Sequence, residues 1–160
     1  MLLVDKNGYN EYLEEVNKLK KQYENTITGG TEAYNTAVGD GWHDNFDFEE
    51  SMRVERDIAT KIDKMLENLS ELKIVEEEKP KKGIVQIGDI VNIKIEYPKL
   101  TDEFEVRITG NYLSNMDLEP MEITLNSPIG KSIYHKKIGT KVKTTINNEE
   151  VNITILKKVQ

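Results

Sequence analysis

The sequence predicts an α+β protein: an N-terminal antiparallel coiled-coil helical hairpin followed by a small antiparallel β domain with one short helix. Three observations carry this reading. Apolar residues recur every three or four positions in the first half and every second position in the second half. All four prolines (Pro80, Pro98, Pro120 and Pro128) lie after residue 79.

The first helix is read from Tyr9, Tyr12, Val16, Leu19 and Tyr23, whose spacing keeps a seam on one side of a helix. Adjacent glycines in Thr28-Gly29-Gly30-Thr31 each cost about 1 kcal/mol against alanine in a helix interior. A kink or stop is therefore expected there, with Glu32 to Val38 resuming the helix. Gly39-Asp40-Gly41 forces a turn, and Asp44 or Asn45 fits the cap of a second helix. That helix carries Ile58, Ile62, Met65, Leu69 and Leu72, with Phe48 and Met52 upstream on a compatible stripe. Each stripe is too narrow to bury itself alone, so folding back as a hairpin is the simplest way to cover both. The expected map is a hairpin over 1–77 with its tip near 39–50, a polar linker over 78–83 and a β domain over 84–160.

After the linker the period is two. Val91, Ile93, Ile95 and Tyr97 form one strand and Phe104, Val106 and Ile108 a second, each alternating with polar residues. Met121, Ile123 and Leu125 form a third, Lys141 to Ile146 a fourth, and Val151, Ile153 and Ile155 a fifth. Asn147-Asn148 is the hairpin turn between the last two. Ser127 as N-cap and Pro128 at the first helical position open a short helix, whose Ile129 and Ile133 give it a packing edge.

The chain has 160 residues, enough for one or two small domains, with 37% hydrophobic and 32% charged residues. Its longest apolar run, Met1 to Val4, falls far short of the roughly 20 residues of a membrane span, and it lacks the basic start of a signal peptide. The expected location is cytoplasmic. With no cysteine, thiolate metal sites and cysteine nucleophiles are excluded. The distribution of charge is more informative than its total. Between Lys21 and Arg53, residues 22–52 hold no Lys or Arg and seven acids (Glu24, Glu32, Asp40, Asp44, Asp47, Glu49 and Glu50), which equals the whole formal net charge of -7. Such a segment repels nucleic-acid phosphates and attracts a divalent cation or a basic protein channel; a solvated acidic loop is the plainer alternative.

This order of features resembles the Gre family of bacterial transcript cleavage factors. The resemblance rests on Gly39-Asp40 followed by Asp44-Asn45, on Leu66 to Val75, and above all on Ile123 to Lys131 continuing through Lys137-Ile138-Gly139. It implies an FKBP-like second domain that binds RNA polymerase through Ser127, Pro128, Ile129 and Gly130. It also implies a hairpin tip that enters the polymerase's secondary channel and stimulates hydrolysis of backtracked RNA. The protein would then be a monomeric accessory factor rather than an enzyme, touching the RNA only indirectly. It would have no cofactor of its own and would share Mg²⁺ with the polymerase active site. Asp40 and Asp44 are the positions onto which the metal-assisting role is carried, with Asn45, Trp42, His43, Asp47 and Glu49 as tip support.

The tip departs from the family pattern of Gly-Asp, two residues, Glu-Asn. Here Gly41-Trp42-His43 makes three intervening residues, and the second acid is Asp44. The chemistry suits hard carboxylate oxygens on Mg²⁺, although two carboxylates are too few to build a metal site alone. His43 fits either a ligand or a locally bonded histidine, and Trp42 either a partner anchor or packing of the turn. A channel-occupying factor that inhibits cleavage, or fails to stimulate it, is the alternative within the family. A general coiled-coil adaptor is the alternative outside it. Prolyl isomerase activity is not expected, because the second domain has no Trp and only Tyr97, Phe104, Tyr112 and Tyr134 to line a pocket.

Overall fold

The computed structural model describes residues 1–36 and 46–159, with side chains over 1–29 and 49–159. In chain order the elements are β1 (Leu2–Val4), α1 (Lys6–Thr36), α2 (Phe46–Glu71), β2 (Leu72–Ile74), β3 (Ile90–Glu96), β4 (Thr101–Thr109), β5 (Met121–Thr124), α3 (Pro128–Ile133), β6 (Lys141–Ile146) and β7 (Glu149–Lys158). They form two compact units, residues 12–72 and residues 1–11 with 73–160. The segment expected as a linker, 78–83, thus lies inside the second of these.

In the helical unit the antiparallel pairing can be read from two tyrosines. The Tyr12 hydroxyl donates to the Met65 carbonyl at 2.8 Å, and the Tyr23 hydroxyl to Glu55 Oε1 at 3.4 Å. Going from 12 to 23 on α1 therefore goes from 65 back to 55 on α2. Tyr12, Val16 and Leu19 are buried, and Ile58, Ile62, Met65 and Leu69 are half-buried, so the expected stripes do form a seam. Helix α1 runs through Gly29 and Gly30, where a kink or stop was expected. A Cβ at Gly29 would meet nothing, so that glycine costs propensity but disturbs no packing, and the rest of the helix outweighs it.

In the other unit a five-stranded sheet has the order β5-β4-β3-β7-β6. Alternation puts Val91, Ile93, Ile95, Val106, Ile108, Val151, Ile153 and Ile155 in one core with Leu125 and Ile133. Helix α3 packs against β5, β6 and β7. The β6–β7 turn is made by Asn147 (φ 49) and Asn148 (φ 67), the two left-handed residues of a tight hairpin. The sheet is mostly but not wholly antiparallel, because β5 lies parallel to β4. The long connection over 110–120 makes this possible, since a parallel neighbour needs a crossover rather than a tight turn.

Two short strands go beyond the expected elements. β1 and β2 pair with each other, and α2 stops at Glu71 although its apolar stripe continues to Leu72. Asn126 secures β1 with two bonds: Leu3 N donates to its Oδ1 at 2.8 Å, and its Nδ2 donates to Leu3 O at 2.7 Å. Asp5 caps α1 by accepting from Gly8 N at 2.8 Å, while its own N–H donates to Gly110 O at 2.9 Å. Gly8 and Gly110 make this approach possible. A Cβ on Gly8 would overlap the Gly110 carbonyl oxygen, and one on Gly110 would overlap the Asp5 side chain.

Candidate functional site

Of the expected tip residues, Asp40, Trp42, His43, Asp44 and Asn45 lie outside the described residues. Asp47 falls in the first turn of α2, and Glu49 is exposed one turn into it. Just beyond, Arg53 holds Glu50 at 2.6 Å and Asp57 at 3.6 Å. The hydrogen bond from Arg53 holds the Glu50 carboxyl below its ordinary range. All three side chains are largely solvated, so these pairs contribute little to stability. The first of them does hold Glu50, the last acid of the base-free segment, against Arg53, the first base after it.

The second expected site is the start of α3, and here the local reading holds. Ser127 sits in extended backbone (φ -68, ψ 156), and its hydroxyl oxygen accepts from Gly130 N at 2.9 Å while donating to Thr124 O at 2.9 Å. Pro128 follows at the first helical position, where a missing N–H costs nothing, and its ring is exposed. Ile129 packs on the core. Gly130 is buried where a Cβ would overlap the Thr124 carbonyl. Ser127, Ile129 and Gly130 thus anchor the turn and leave Pro128 presented outward.

A third cluster carries no periodic signature in the sequence. The Glu78 carboxylate accepts from Gln86 Nε2 at 3.0 Å, lies 2.5 Å from His135 Nε2, takes the Tyr134 hydroxyl at 3.3 Å and pairs with Lys81 at 3.3 Å. The Gln86 bond leads in holding the Glu78 pKa down at about 2, against a smaller opposing effect of burial, with His135 and Lys81 assisting. Burial, followed by the nearby Glu78 charge, pushes Tyr134 up to about 12. The Tyr134 and His135 rings stack with centroids 3.9 Å apart. Glu78, Gln86 and Tyr134 border a cavity of about 670 Å³, also lined by Asp5, Lys6, Ile74, Val75 and Ile87. Separations of 8 and 57 residues (Glu78 to Gln86 and to His135) hide this cluster from any reading by local pattern.

Among the described residues, no group of three or more His, Cys, Asp or Glu side chains is gathered to hold a metal ion, and no helix is long and apolar enough to cross a membrane.

Residues 79–158 match the family model described as the C-terminal region of the transcription elongation factors GreA/GreB. Among solved structures, the chain is similar to GreA factor homolog 1 (Gfh1) of Thermus thermophilus at 17% identity and a TM-score of 0.44, covering 99% of each chain. It is similar to Gfh1 of Thermus aquaticus at 16% identity and a TM-score of 0.44, covering 98% of this chain and 97% of that one. A GreA/GreB elongation factor from Nitrosomonas europaea is 14% identical with a TM-score of 0.38, covering 68% of this chain and 93% of that one. No curated protein matches the chain.

Proposed function

Because the chain belongs to the GreA/GreB family of transcription elongation factors, we propose that it is an accessory factor of RNA polymerase, acting in the cytoplasm as a monomer. Its sheet unit docks on the polymerase through the start of α3, with Pro128 outermost and Ser127, Ile129 and Gly130 holding it there. Its hairpin tip enters the secondary channel and stimulates hydrolysis of backtracked RNA at the polymerase's own active site. The family match over 79–158 carries this reading. The base-free acidic segment over 22–52 supports it, since a channel leading to a metal-dependent active site attracts such a segment.

The donor set fits Mg²⁺ in kind but not in number. Asp40 and Asp44 offer hard carboxylate oxygens, whereas an octahedral site needs ligands that the polymerase must supply. Mg²⁺ bound there would polarise a phosphoryl oxygen or activate water. The chain's own part is to bring two negative charges to that place, while docking through α3 leaves the tip free of any binding duty.

A second reading is favoured by one observation, the three residues Gly41-Trp42-His43 between Asp40 and Asp44. The extra residue and the shorter acid displace the second carboxylate from its place in the family pattern, and the factor then occupies the channel without stimulating cleavage. A backtracked elongation complex with a labelled transcript separates the two. Stimulated cleavage that falls in Asp40→Asn/Asp44→Asn, with polymerase binding retained, supports the first reading. Slowed elongation without cleavage at any Mg²⁺ concentration supports the second. Failure to bind core polymerase defeats both and leaves a coiled-coil adaptor.

A further inference from the structure

The sheet unit carries a lysine face that includes none of Ser127, Pro128, Ile129 and Gly130, the residues proposed for polymerase docking. Glu122 and Glu149 bracket residues 123–148, a stretch with five lysines and no acid. Part of it is folded against a second lysine-rich segment from far earlier in the chain. Ile84 bridges Lys137 in antiparallel fashion, Val85 N donates to Lys136 O at 3.0 Å, and Ile138 N donates to Gly83 O at 2.9 Å. Lys81 and Lys82 are thereby brought beside Lys136 and Lys137, although more than fifty residues separate them in sequence. All four are exposed. Lys81 is held by Glu78, whereas Lys82, Lys136 and Lys137 take no ion pair among the described residues. Next to them His135 stands at φ 61, its side chain 47% exposed and stacked on Tyr134.

We propose that this face binds single-stranded nucleic acid, with phosphates on Lys82, Lys136 and Lys137 and a base on the exposed His135 imidazole. Unpaired lysines are hydrated point charges that exchange counterions with a phosphate chain, and an exposed aromatic ring beside them is the usual companion for an unstacked base. An acidic protein surface would use the lysines, but the His135 ring nitrogen is already taken by Glu78, and only a planar base can use the ring's stacking face. From Lys79 onward the chain holds 13 Lys and Arg against 10 Asp and Glu, and the neighbouring acid Glu78 is already engaged by Gln86, Lys81 and His135 itself. This contact goes beyond the polymerase-docking role, and its test contains no polymerase, so the two stand or fall separately.

The test is fluorescence anisotropy of the full chain with a labelled single-stranded RNA of about 12 nucleotides, and with the DNA of the same sequence. Salt is varied from about 50 to 200 mM. Binding is expected to weaken as salt rises. Lys82→Glu/Lys136→Glu/Lys137→Glu should lower affinity on the order of tenfold and reduce the slope of log K against log salt by about 2, near 0.7 per lost lysine. The neutral Lys→Gln triple gives the same reading if the reversed variant fails to fold. His135→Ala should weaken RNA binding while leaving inorganic polyphosphate binding unchanged. Absence of RNA binding at the lowest salt, or full affinity in the triple variant, overturns the proposal. Displacement of the RNA by polyglutamate as readily as by unlabelled RNA also overturns it, and assigns the face to an acidic protein.

Discussion

The buried hydroxyl of Tyr12 donates to the main-chain carbonyl of Met65, 53 residues away, at 2.8 Å. One side chain thus fills the helix seam with its ring and fixes the partner helix with its oxygen, which converts an apolar stripe into a defined register. Tyr12→Phe should keep the packing and lose about 1 kcal/mol. Tyr12→Ala should lose roughly 3–5 kcal/mol. Thermal and urea unfolding monitored by circular dichroism measure both, and equal effects would mean that the ring contributes nothing.

Two glycines of the same helix should respond to alanine with opposite signs. Gly29→Ala puts a methyl into open space on an exposed helical surface and should stabilise by about 0.5–1 kcal/mol. Gly8→Ala drives a methyl into the Gly110 carbonyl oxygen and should destabilise by roughly 1–3 kcal/mol despite its better helix propensity. Unfolding of the two variants side by side decides, and a shared sign would refute the close approach at Gly8.

Glu78 sets an acid limb for the sheet unit. Its folded pKa of about 2 lies below the ordinary 4.5. A depressed carboxyl contributes stability that is fully present above the unfolded pKa and is lost as pH falls through the folded one. The Tm gap between wild type and Glu78→Gln should therefore be widest above about pH 4.5 and close as pH falls toward about 2. A gap of constant width across that range would show that the charge is not involved.

At the start of α3, cap and contact can be tested apart. Ser127→Ala removes the bond from Gly130 N and should cost about 1 kcal/mol of stability. Pro128→Asp places an acid at an exposed first-turn position that tolerates one, so the fold should stay near wild-type stability while polymerase affinity drops. Unchanged affinity, measured by surface plasmon resonance, would confine Pro128 to a structural role.

Asn126→Ala should cost roughly 1–3 kcal/mol, because both of its bonds to Leu3 vanish and leave the β1 backbone groups unsatisfied. Hydrogen exchange at the Leu3 amide should accelerate with it. A protected amide in the variant would mean that β1 is held by its pairing with β2 alone.

What could be read from the sequence were features whose cause lies within a few residues. Ser127 caps a helix because Gly130 is three positions away, and Asn147-Asn148 turn because both residues tolerate a left-handed backbone. The seam residues from Tyr12 to Leu19 were equally plain, since burial repeats with the helical period. Features joined across the chain were not legible. Leu72 continues the helical stripe yet begins a strand, because β2 pairs with β1 from the start of the chain. Nothing near Glu78 announces His135, and nothing near Lys82 announces Lys137. The candidate site divides along the same line: the α3 turn was visible beforehand, and the Glu78 cluster and the lysine face were not.

Because residues 1–11 belong with 73–160, the helical unit is an insertion, and the protein's parts cannot be completed in the order in which they are made. Leu3 emerges from the ribosome early, but Asn126 follows 123 residues later, a delay on the order of ten seconds at ordinary synthesis rates. Tyr12 meets Met65 after only 53 residues. The helix pair can thus close first and β2 can follow onto β1, while the N–H and C=O of Leu3 wait open to water. The last third of the chain then finishes the unit that the first few residues began.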